Sequence, residues 1–388
     1  MFAPLYSAKL QFKRLLAPAL CLLFIASTTA CAGLSGPSCN SPWPQWKAYK
    51  SRFIQDDGRV VEYSQGGRST SEAQAYALFH ALVANDPKTF QRVLSWTIDN
   101  LADGDLGSQL PAWHWGRNKQ GNWGIIDNNS ASDADMWLAY ALLEAGRLWS
   151  NPDYNALAEK VLINIEALET TRIPGIGPIV LPGRRGFTLD NDRWKLNPSY
   201  FPLQILQRFA ERENGHYWQQ IRDSAYQLLM LSSQHGALPD WVIYQKDKGI
   251  IEETDEPLAG SYDAIRAYLW LGTLSDRDPK KHPLIQKLSF SCEIGAPPPE
   301  KINLRSGIKS GISPIGFSAA LAPYFKARHA QHCLHEALRR IDKNWHKGLL
   351  ARKPVYYDQN LALFGLAWLE KRYQFALDGK LLLKHCHS

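Results

Sequence analysis

The feature that most constrains the fold of this chain is a helical periodicity of apolar residues from residue 70 to near the C-terminus. Apolar positions spaced three and four residues apart predict amphipathic helices. The predicted helices form sequential pairs, such as EAQAYALFHALVAND followed by PKTFQRVLSWTIDNLA, and loops rich in Gly, Pro and Asn join them. About a dozen helices are expected, and strand alternation is scarce. The segment GIGPIVLPGRRGFTL is the best candidate for a stretch of β-structure.

Many helix pairs in one chain can form either an open solenoid or a ring of helices. The loops are irregular and no repeat consensus is visible, which favours an α/α barrel. The chain has 388 residues, of which 45% are hydrophobic and 21% charged. This composition is typical of a globular protein with a large core rather than of a disordered chain. We therefore predict an all-α fold.

The N-terminus has the pattern of a secretory signal. Lys9, Lys13 and Arg14 precede the apolar run LLAPALCLLFIASTTACA, which is short for a membrane span of ~20 residues. A basic start, a short apolar stretch and small residues at its end are typical of a cleaved leader. We predict a signal peptide at residues 1–32 and an exported domain at residues 33–388. Cleavage before Cys31, with lipidation of that cysteine, is the alternative.

The charge and the cysteines fit an exported protein. The net charge is +7, and removal of the leader leaves 41 basic against 37 acidic residues. The basic residues are scattered and no nucleic-acid-binding motif is present, so no nucleic-acid partner is predicted. Exported proteins can keep disulfides. Because the ends of a ring-like domain should approach each other, Cys39 is expected to pair with Cys386, although the sequence does not fix the pairing. Cys292 and Cys333 lie in the C-terminal third.

Carboxylates at helix starts are the best candidates for chemistry. Glu72 lies in STSEAQAYAL, where Ser69 and Glu72 have the spacing of a capping box. As a general acid, Glu72 would instead need burial or a nearby carboxylate to hold its proton. Asp133 and Asp135 of SASDADMW enter a strongly apolar helix, where one of them is expected to act as an N-cap or first-turn acid.

Asp263 and the aromatic loops suggest a cleft. Asp263 precedes Arg266 by three residues, so a salt bridge is the simplest explanation, and the arginine would also keep a catalytic base ionised. The chain has 14 tryptophans, and a single tryptophan is more often core than surface. Several nevertheless lie on predicted loops, in LPAWHWG, RWKLNPSYF and LPDWV. Aromatic side chains on loops near acids are typical of a cleft that stacks sugar rings. Nucleotide-binding, serine-nucleophile and zinc-protease motifs are absent from the sequence.

At these motifs the sequence resembles glycoside hydrolase family 8. The matching stretches run from about residue 40 to the C-terminus and include TSEAQAYAL, LPAWHWG, DNNSASDADMW, NPSYFPL, PDWV, SYDAIRAYLWLG and PIGFSAALAPYF. The sequence is most similar to periplasmic members that accompany bacterial cellulose synthase. It departs from the pattern at Ala73 and Ala134, where the family commonly has glycine.

The resemblance implies an (α/α)6 barrel of about twelve helices with an open substrate cleft across one end. It implies endo-hydrolysis of β-1,4-glucan with inversion, in which Glu72 donates a proton, Asp263 activates water and Asp133 contacts the sugar at the cleaved bond. Neither step requires a cofactor or a metal ion. From the loops and the family pattern together, the predicted substrate-binding residues are Tyr76, Trp113, Trp115, Asp135, Trp194, Asn197, Tyr200, Trp241, Tyr262 and Arg266.

Other functions remain open on the residues alone. A non-catalytic cellulose-binding component of the export machinery would keep the tryptophans but could lose either acid. A polysaccharide lyase would need a Tyr, His or Lys base near groups that neutralise a uronate. We predict a periplasmic or secreted endo-1,4-β-glucanase that supports bacterial cellulose synthesis. Its expected partners are β-1,4-glucan chains and, transiently, the cellulose synthase export complex.

Overall fold

The computed structural model describes residues 42–233, 236–252, 257–290, 292 and 295–384. The predicted signal peptide, Cys31, Cys39 and Cys386 lie outside this part of the chain. Within it, no helix combines the length and apolar character that crossing a membrane requires. The twelve α-helices of the described residues are α1 (Pro44–Phe53), α2 (Ser71–Val83), α3 (Pro87–Leu101), α4 (Ser132–Leu148), α5 (Pro152–Glu169), α6 (Leu203–Ala210), α7 (His216–Ser232), α8 (Ala264–Thr273), α9 (Lys281–Lys287), α10 (Ile315–Ala327), α11 (Gln331–Asp342) and α12 (Tyr356–Leu369).

The helices are arranged as an inner and an outer set. Each even-numbered helix contacts the next one, from α2 to α12, and α12 contacts α2. Each odd-numbered helix lies against an even-numbered one: α3 contacts α2, α5 contacts α4, α7 contacts α6, α9 contacts α8, α11 contacts α10, and α1 contacts α12. Six inner and six outer helices in cyclic order form the predicted (α/α)6 barrel.

The inner helices are buried because they carry apolar residues on all sides. All ten residues of α8 are buried, and in α2 every residue except Glu72 is buried. A helix that is apolar all round is stable only inside a protein. Glycines bring two inner helices close to α10: a Cβ on Gly272 would lie 2.4 Å from the Tyr324 nitrogen, and one on Gly365 would lie 2.1 Å from the Ala319 carbonyl oxygen. The inner set is therefore packed backbone against backbone at these points.

Short β-strands lie in the loops between the helices. The described residues contain six small antiparallel sheets. The sequence candidate GIGPIVLPGRRGFTL contains two of their strands, and most others are too short to show alternation. The strands are β1 (Ser69–Thr70), β2 (His114–Arg117), β3 (Trp123–Asp127), β4 (Thr170–Ile173), β5 (Gly177–Val180), β6 (Thr188–Leu189), β7 (Arg193–Leu196), β8 (Val242–Gln245), β9 (Gly249–Ile251), β10 (Ala259–Gly260), β11 (Lys301–Asn303), β12 (Lys309–Ser310), β13 (Trp345–His346), β14 (Leu349–Leu350), β15 (Tyr373–Phe375) and β16 (Leu381–Leu383).

A disulfide joins two parts of the C-terminal third. Cys292, which follows α9, bonds to Cys333 in the first turn of α11, with a Cα–Cα distance of 5.4 Å. The segment between them contains α10 and the strands β11 and β12. The sequence alone did not predict this pairing, and the expected pair of Cys39 with Cys386 stays a prediction.

Candidate active site

Glu72 lies at the start of the inner helix α2. The helix is capped by Thr70, whose side-chain oxygen accepts a hydrogen bond from the Ala73 nitrogen at 3.1 Å. Ser69 instead donates to the Val60 carbonyl oxygen at 2.6 Å. The predicted capping box is therefore wrong, because the helix starts one residue later than the spacing suggests. Glu72 is left with a side chain that is 22% exposed, at the mouth of a cleft.

Asp133 lies in the first turn of α4 and lines the same cleft. Its Oδ1 accepts a hydrogen bond from the Ala134 nitrogen at 2.8 Å, and its side chain is 5% exposed. The N-cap position is held by Ala131, which provides no side-chain cap. Asp133 and Asp135 are thus first-turn acids, as one of them was expected to be, and neither is the N-cap.

Asp263 precedes the first residue of α8, and residues of another loop hold it in place. The Asp240 carboxylate accepts hydrogen bonds from the backbone nitrogens of Ser261 at 2.8 Å, Asp263 at 3.0 Å and Ala264 at 2.8 Å. The Trp241 indole nitrogen donates to Asp263 Oδ2 at 3.0 Å. Sequence reasoning missed Asp240, because nothing in the local pattern indicates which distant helix start it contacts.

Arg266 brings the three acids together. Its Nη2 donates to Asp263 Oδ1 at 2.6 Å, and its Nη1 donates to Asp133 Oδ2 at 3.2 Å and to Glu72 Oε2. The arginine side chain is only 5% exposed. The predicted salt bridge with Asp263 is confirmed. The sequence did not indicate that the same guanidinium also binds Glu72 and Asp133, which lie 194 and 133 residues away.

The site favours a protonated carboxyl group at Glu72. The pKa of the Glu72 carboxyl is raised to about 7: burial is the largest cause, the charges of Asp133 and Asp263 add to it, and Arg266 opposes the rise. Burial also raises the pKa of Asp133, again against the effect of Arg266. Carboxyl groups that differ in protonation near neutral pH can divide acid and base roles between them.

A cleft of about 420 Å³ opens over these acids. Of the predicted substrate-binding residues, Trp113, Tyr200, Tyr262 and Arg266 line it. The Arg266 guanidinium lies 5.5 Å from the centre of the Tyr200 ring. Further lining residues come from two segments that the sequence did not single out. Glu62 and Arg68 precede α2, and Val355, Tyr356, Tyr357 and Asp358 lie at the start of α12.

The structure corrects the prediction of substrate contact for four residues that it buries in the core: Tyr76, Asp135, Trp194 and Asn197. Tyr76 packs edge-on against Trp137, with ring centres 5.9 Å apart. Asn197 Oδ1 accepts from the Ser199 nitrogen at 3.0 Å, and Trp194 pairs with a residue of β8. Asp135 is completely buried. These four residues lie in the core and not in the cleft lining. Their polarity or aromaticity alone could not reveal that they are buried.

Two further tryptophans lie near the cleft without lining it. Trp115 stacks on Trp123, with ring centres 5.1 Å apart and planes 15° apart, and the Arg59 guanidinium lies 4.3 Å from the Trp115 ring centre. Trp115 therefore packs within the β2–β3 hairpin, and its contact with substrate stays a prediction. Trp241 lies 6.1 Å from Phe187 with parallel rings, and its contact with Asp263 is its link to the site.

Three carboxyl groups beside one arginine, in an open cleft lined by the aromatic rings of Trp113, Tyr200 and Tyr262, are the arrangement expected of a glycoside hydrolase. Hydrolysis of a glycosidic bond by a pair of carboxyl groups requires one that carries a proton and one that is ionised. Aromatic side chains provide flat apolar faces on which sugar rings stack. Within the described residues no group of His, Cys, Asp and Glu side chains forms a candidate metal site.

Comparison with known proteins identifies the family. The model of glycosyl hydrolases family 8 matches residues 23–371. An endoglucanase of Xanthomonas axonopodis pv. citri is 44% identical over 362 residues, which are 92% of this chain and 93% of that protein. An endoglucanase of Escherichia coli K12 is 39% identical, over 88% and 90% of the two chains. The crystal structure of an endo-1,4-D-glucanase from Vibrio fischeri ES114 is similar with a TM-score of 0.77 and 38% identity, over 88% of this chain and 99% of that one. The chain belongs to glycosyl hydrolase family 8.

Proposed function

We propose that this glycoside hydrolase is an endo-β-1,4-glucanase that cleaves with inversion of the anomeric centre. The observation that carries the proposal is the convergence of Glu72, Asp133 and Asp263 on Arg266 in an open cleft. An open cleft accepts the interior of a polymer. The names of the relatives, endoglucanase and endo-1,4-D-glucanase, support β-1,4-glucan as the substrate.

Glu72 is proposed as the general acid. A group that protonates the departing glycosidic oxygen must carry a proton near neutral pH. Burial of the Glu72 carboxyl, with a pKa of about 7, meets this requirement. Asp133, which is more deeply buried and also bound to Arg266, is proposed to contact the sugar at the cleaved bond.

Asp263 is proposed as the general base that takes a proton from the attacking water. Inverting enzymes keep the two carboxyl groups roughly 6.5–9.5 Å apart, so that water fits between the base and the sugar. Glu72 and Asp263 bind different nitrogens of the Arg266 guanidinium, Nη1 and Nη2, so each carboxyl group has its own place beside the arginine. The Asp263 side chain is 31% exposed, so water can reach it.

The stereochemical outcome tests this assignment directly. Following cellopentaose hydrolysis by NMR, we expect the first product formed from the β-linkage to be the α-anomer. A β-anomer as first product would mean retention and would make Asp263 a nucleophile. An absence of any hydrolysis, of cellopentaose or of carboxymethylcellulose, would favour the alternative of a non-catalytic cellulose-binding component.

Paired variants test the roles of the two acids. Glu72→Gln keeps the shape but loses the proton, so activity on unactivated glucan should fall by at least about 100-fold. With an aryl cellooligosaccharide that has a good leaving group, Glu72→Gln should retain much more of its activity, whereas Asp263→Asn should be impaired on both substrates. Glu159→Gln, which removes a carboxylate paired with Arg212 outside the cleft lining, is the matched control. Equal losses of Glu72→Gln on both substrates would remove Glu72 from the acid role.

The cellular role is proposed from the leader and the resemblance. A basic start followed by a short apolar run supports export to the periplasm, where the enzyme would act on glucan chains during bacterial cellulose synthesis. N-terminal sequencing of the mature protein should begin between Cys31 and Gly33. A mature chain that keeps Met1 would contradict export by a cleaved leader.

A further inference from the structure

The start of helix α8 lacks a cap from its own segment. The first backbone N–H groups of a helix have no partner within the helix and need an acceptor from elsewhere. Asp263 occupies the N-cap position, but its side chain makes no capping hydrogen bond, because its carboxylate is bound to Arg266 and Trp241. A residue that serves in the active site is thus not available to cap its own helix.

Asp240 supplies the missing acceptor. One oxygen of its carboxylate, Oδ1, accepts hydrogen bonds from the nitrogens of Ser261, Asp263 and Ala264, at 2.8, 3.0 and 2.8 Å. These three bonds fix the backbone on both sides of the Asp263 Cα. The orientation of the Asp263 side chain therefore depends on a residue 23 positions earlier in the sequence.

The loop that carries Asp240 is itself held firmly. The Asp240 nitrogen donates to the Ala259 carbonyl oxygen at 2.8 Å, and the Leu238 nitrogen donates to the Tyr268 hydroxyl at 3.1 Å. A Cβ on Gly260 would lie 2.2 Å from the Leu238 carbonyl oxygen, so the loop approaches β10 as closely as only glycine permits. These contacts tie Asp240 to the strand that leads into Asp263.

The neighbouring residue completes the arrangement. Trp241 donates to Asp263 Oδ2 at 3.0 Å and is held parallel to the ring of Phe187. Two consecutive residues of one loop thus hold Asp263: Asp240 binds the backbone of Asp263, and Trp241 binds the Asp263 carboxylate. Of these two residues, only Trp241 was predicted from the sequence to belong to the site, and its predicted role was to contact sugar.

We propose that Asp240 is a positioning residue for the general base. By accepting the three N–H bonds, it holds the Asp263 carboxylate in the orientation that water activation requires. The inference rests on the proposed role of Asp263. Catalytic groups must be held closely in place, and a misplacement of about 1 Å can reduce the rate by about 100-fold.

Three variants test the proposal in the full-length mature protein. Asp240→Ala removes the acceptor, and we expect kcat on cellopentaose to fall about 100-fold with KM changed less than about threefold. Asp240→Asn keeps an oxygen in the same position, and kcat should stay within about threefold of wild type. Asp86→Ala is the matched control: Asp86 caps α3 through the Thr89 nitrogen at 3.1 Å and does not line the cleft. It should lower stability and leave kcat unchanged.

A second measurement does not depend on hydrolysis. Hydrogen exchange of the amides of residues 261–264 should be faster in Asp240→Ala than in wild type, and nearly normal in Asp240→Asn. Should Asp240→Ala fail to fold, Asp240→Ser replaces it, because the shorter hydroxyl cannot reach all three nitrogens. Three results would each overturn the proposal. They are normal exchange in Asp240→Ala, a kcat of Asp240→Ala no lower than that of Asp86→Ala, and equal losses of kcat in Asp240→Asn and Asp240→Ala. Wild-type protein that hydrolyses no glucan would refute the proposed function, while the exchange data would still judge the contact made by Asp240.

Discussion

Glu72 differs from every other residue of its helix. The other twelve residues of α2 are buried, whereas the Glu72 side chain is 22% exposed in the cleft. The rise of the Glu72 pKa to about 7 comes mainly from the desolvation of its own carboxyl group. A helix N-terminus alone would have the opposite effect, because it favours a negative charge. Desolvation therefore decides the protonation state of this side chain.

The pH dependence of catalysis should follow from this environment. A general acid works only while protonated, so kcat/KM on unactivated glucan should decrease as the pH rises through about 7, the pKa of Glu72 in the free enzyme. The check is a kcat/KM profile between pH 5 and 9 with cellopentaose. A substrate with a good leaving group should lose this alkaline decrease. A kcat/KM that stays constant to pH 9 on the unactivated substrate would contradict the assignment.

At the scale of the elements, a buried carboxyl group joins α5 to the loop that leads into α4. Glu169, the last residue of α5, is completely buried, and its Oε1 accepts a hydrogen bond from the Ser130 hydroxyl at 2.5 Å. Ser130 also accepts from the Arg184 nitrogen at 3.1 Å. Burial raises the pKa of Glu169 to about 8, and burial and Glu169 raise the pKa of Asp135 well above its usual range. The segment before Asp133 is therefore held by the Glu169 carboxyl group, whose raised pKa favours its protonated form at neutral pH.

Protonation of Glu169 should couple stability to pH. The folded state binds this proton with a pKa of about 8, against 4.5 for an ordinary glutamate. The contribution of protonated Glu169 to the free energy of unfolding is therefore complete below about pH 4.5 and is lost as the pH rises through 8. Glu169→Gln cannot ionise. The free energy of unfolding of the variant, relative to wild type, should therefore increase between pH 5 and pH 9. Urea unfolding at both pH values tests this, and an unchanged difference would mean that Glu169 is not protonated in the folded state.

At the scale of the whole molecule, the sequence predicted the inner helices and the three acids better than their surroundings. Apolar residues on all sides of a long helix are visible locally, and so is an acid at a helix start. Asp240 reaches the site on a loop and Tyr357 at the start of α12. Their proximity to the acids depends on how the helices pack, and no local pattern encodes it. For the same reason the sequence did not show that Asn197 is buried or that Trp115 packs against Trp123 and Arg59.

The disulfide should stabilise the C-terminal third of the barrel. Cys292 and Cys333 are separated by 41 residues, and closing a loop of this length stabilises by about 4 kcal/mol in the chain-entropy model. Reduction by dithiothreitol should lower the free energy of unfolding by up to this amount, as measured by urea unfolding. The double variant Cys292→Ser/Cys333→Ser should be equally destabilised and should not respond further to the reductant. A reductant effect of the same size in the double variant would assign it to other cysteines.

The acids around Arg266 also have a consequence for which polymers can enter. Five carboxyl groups and two guanidinium groups line the cleft, namely those of Glu62, Glu72, Asp133, Asp263, Asp358, Arg68 and Arg266. The raised pKa values of Glu72, Asp133 and Asp358 favour protonated carboxyl groups near neutral pH, and the two guanidinium groups offset the remaining negative charge. The cleft should therefore become more negative as the pH rises, and it should then repel anionic sugars more strongly than neutral ones. On carboxymethylcellulose, cleavage at alkaline pH should increasingly favour stretches free of carboxymethyl groups.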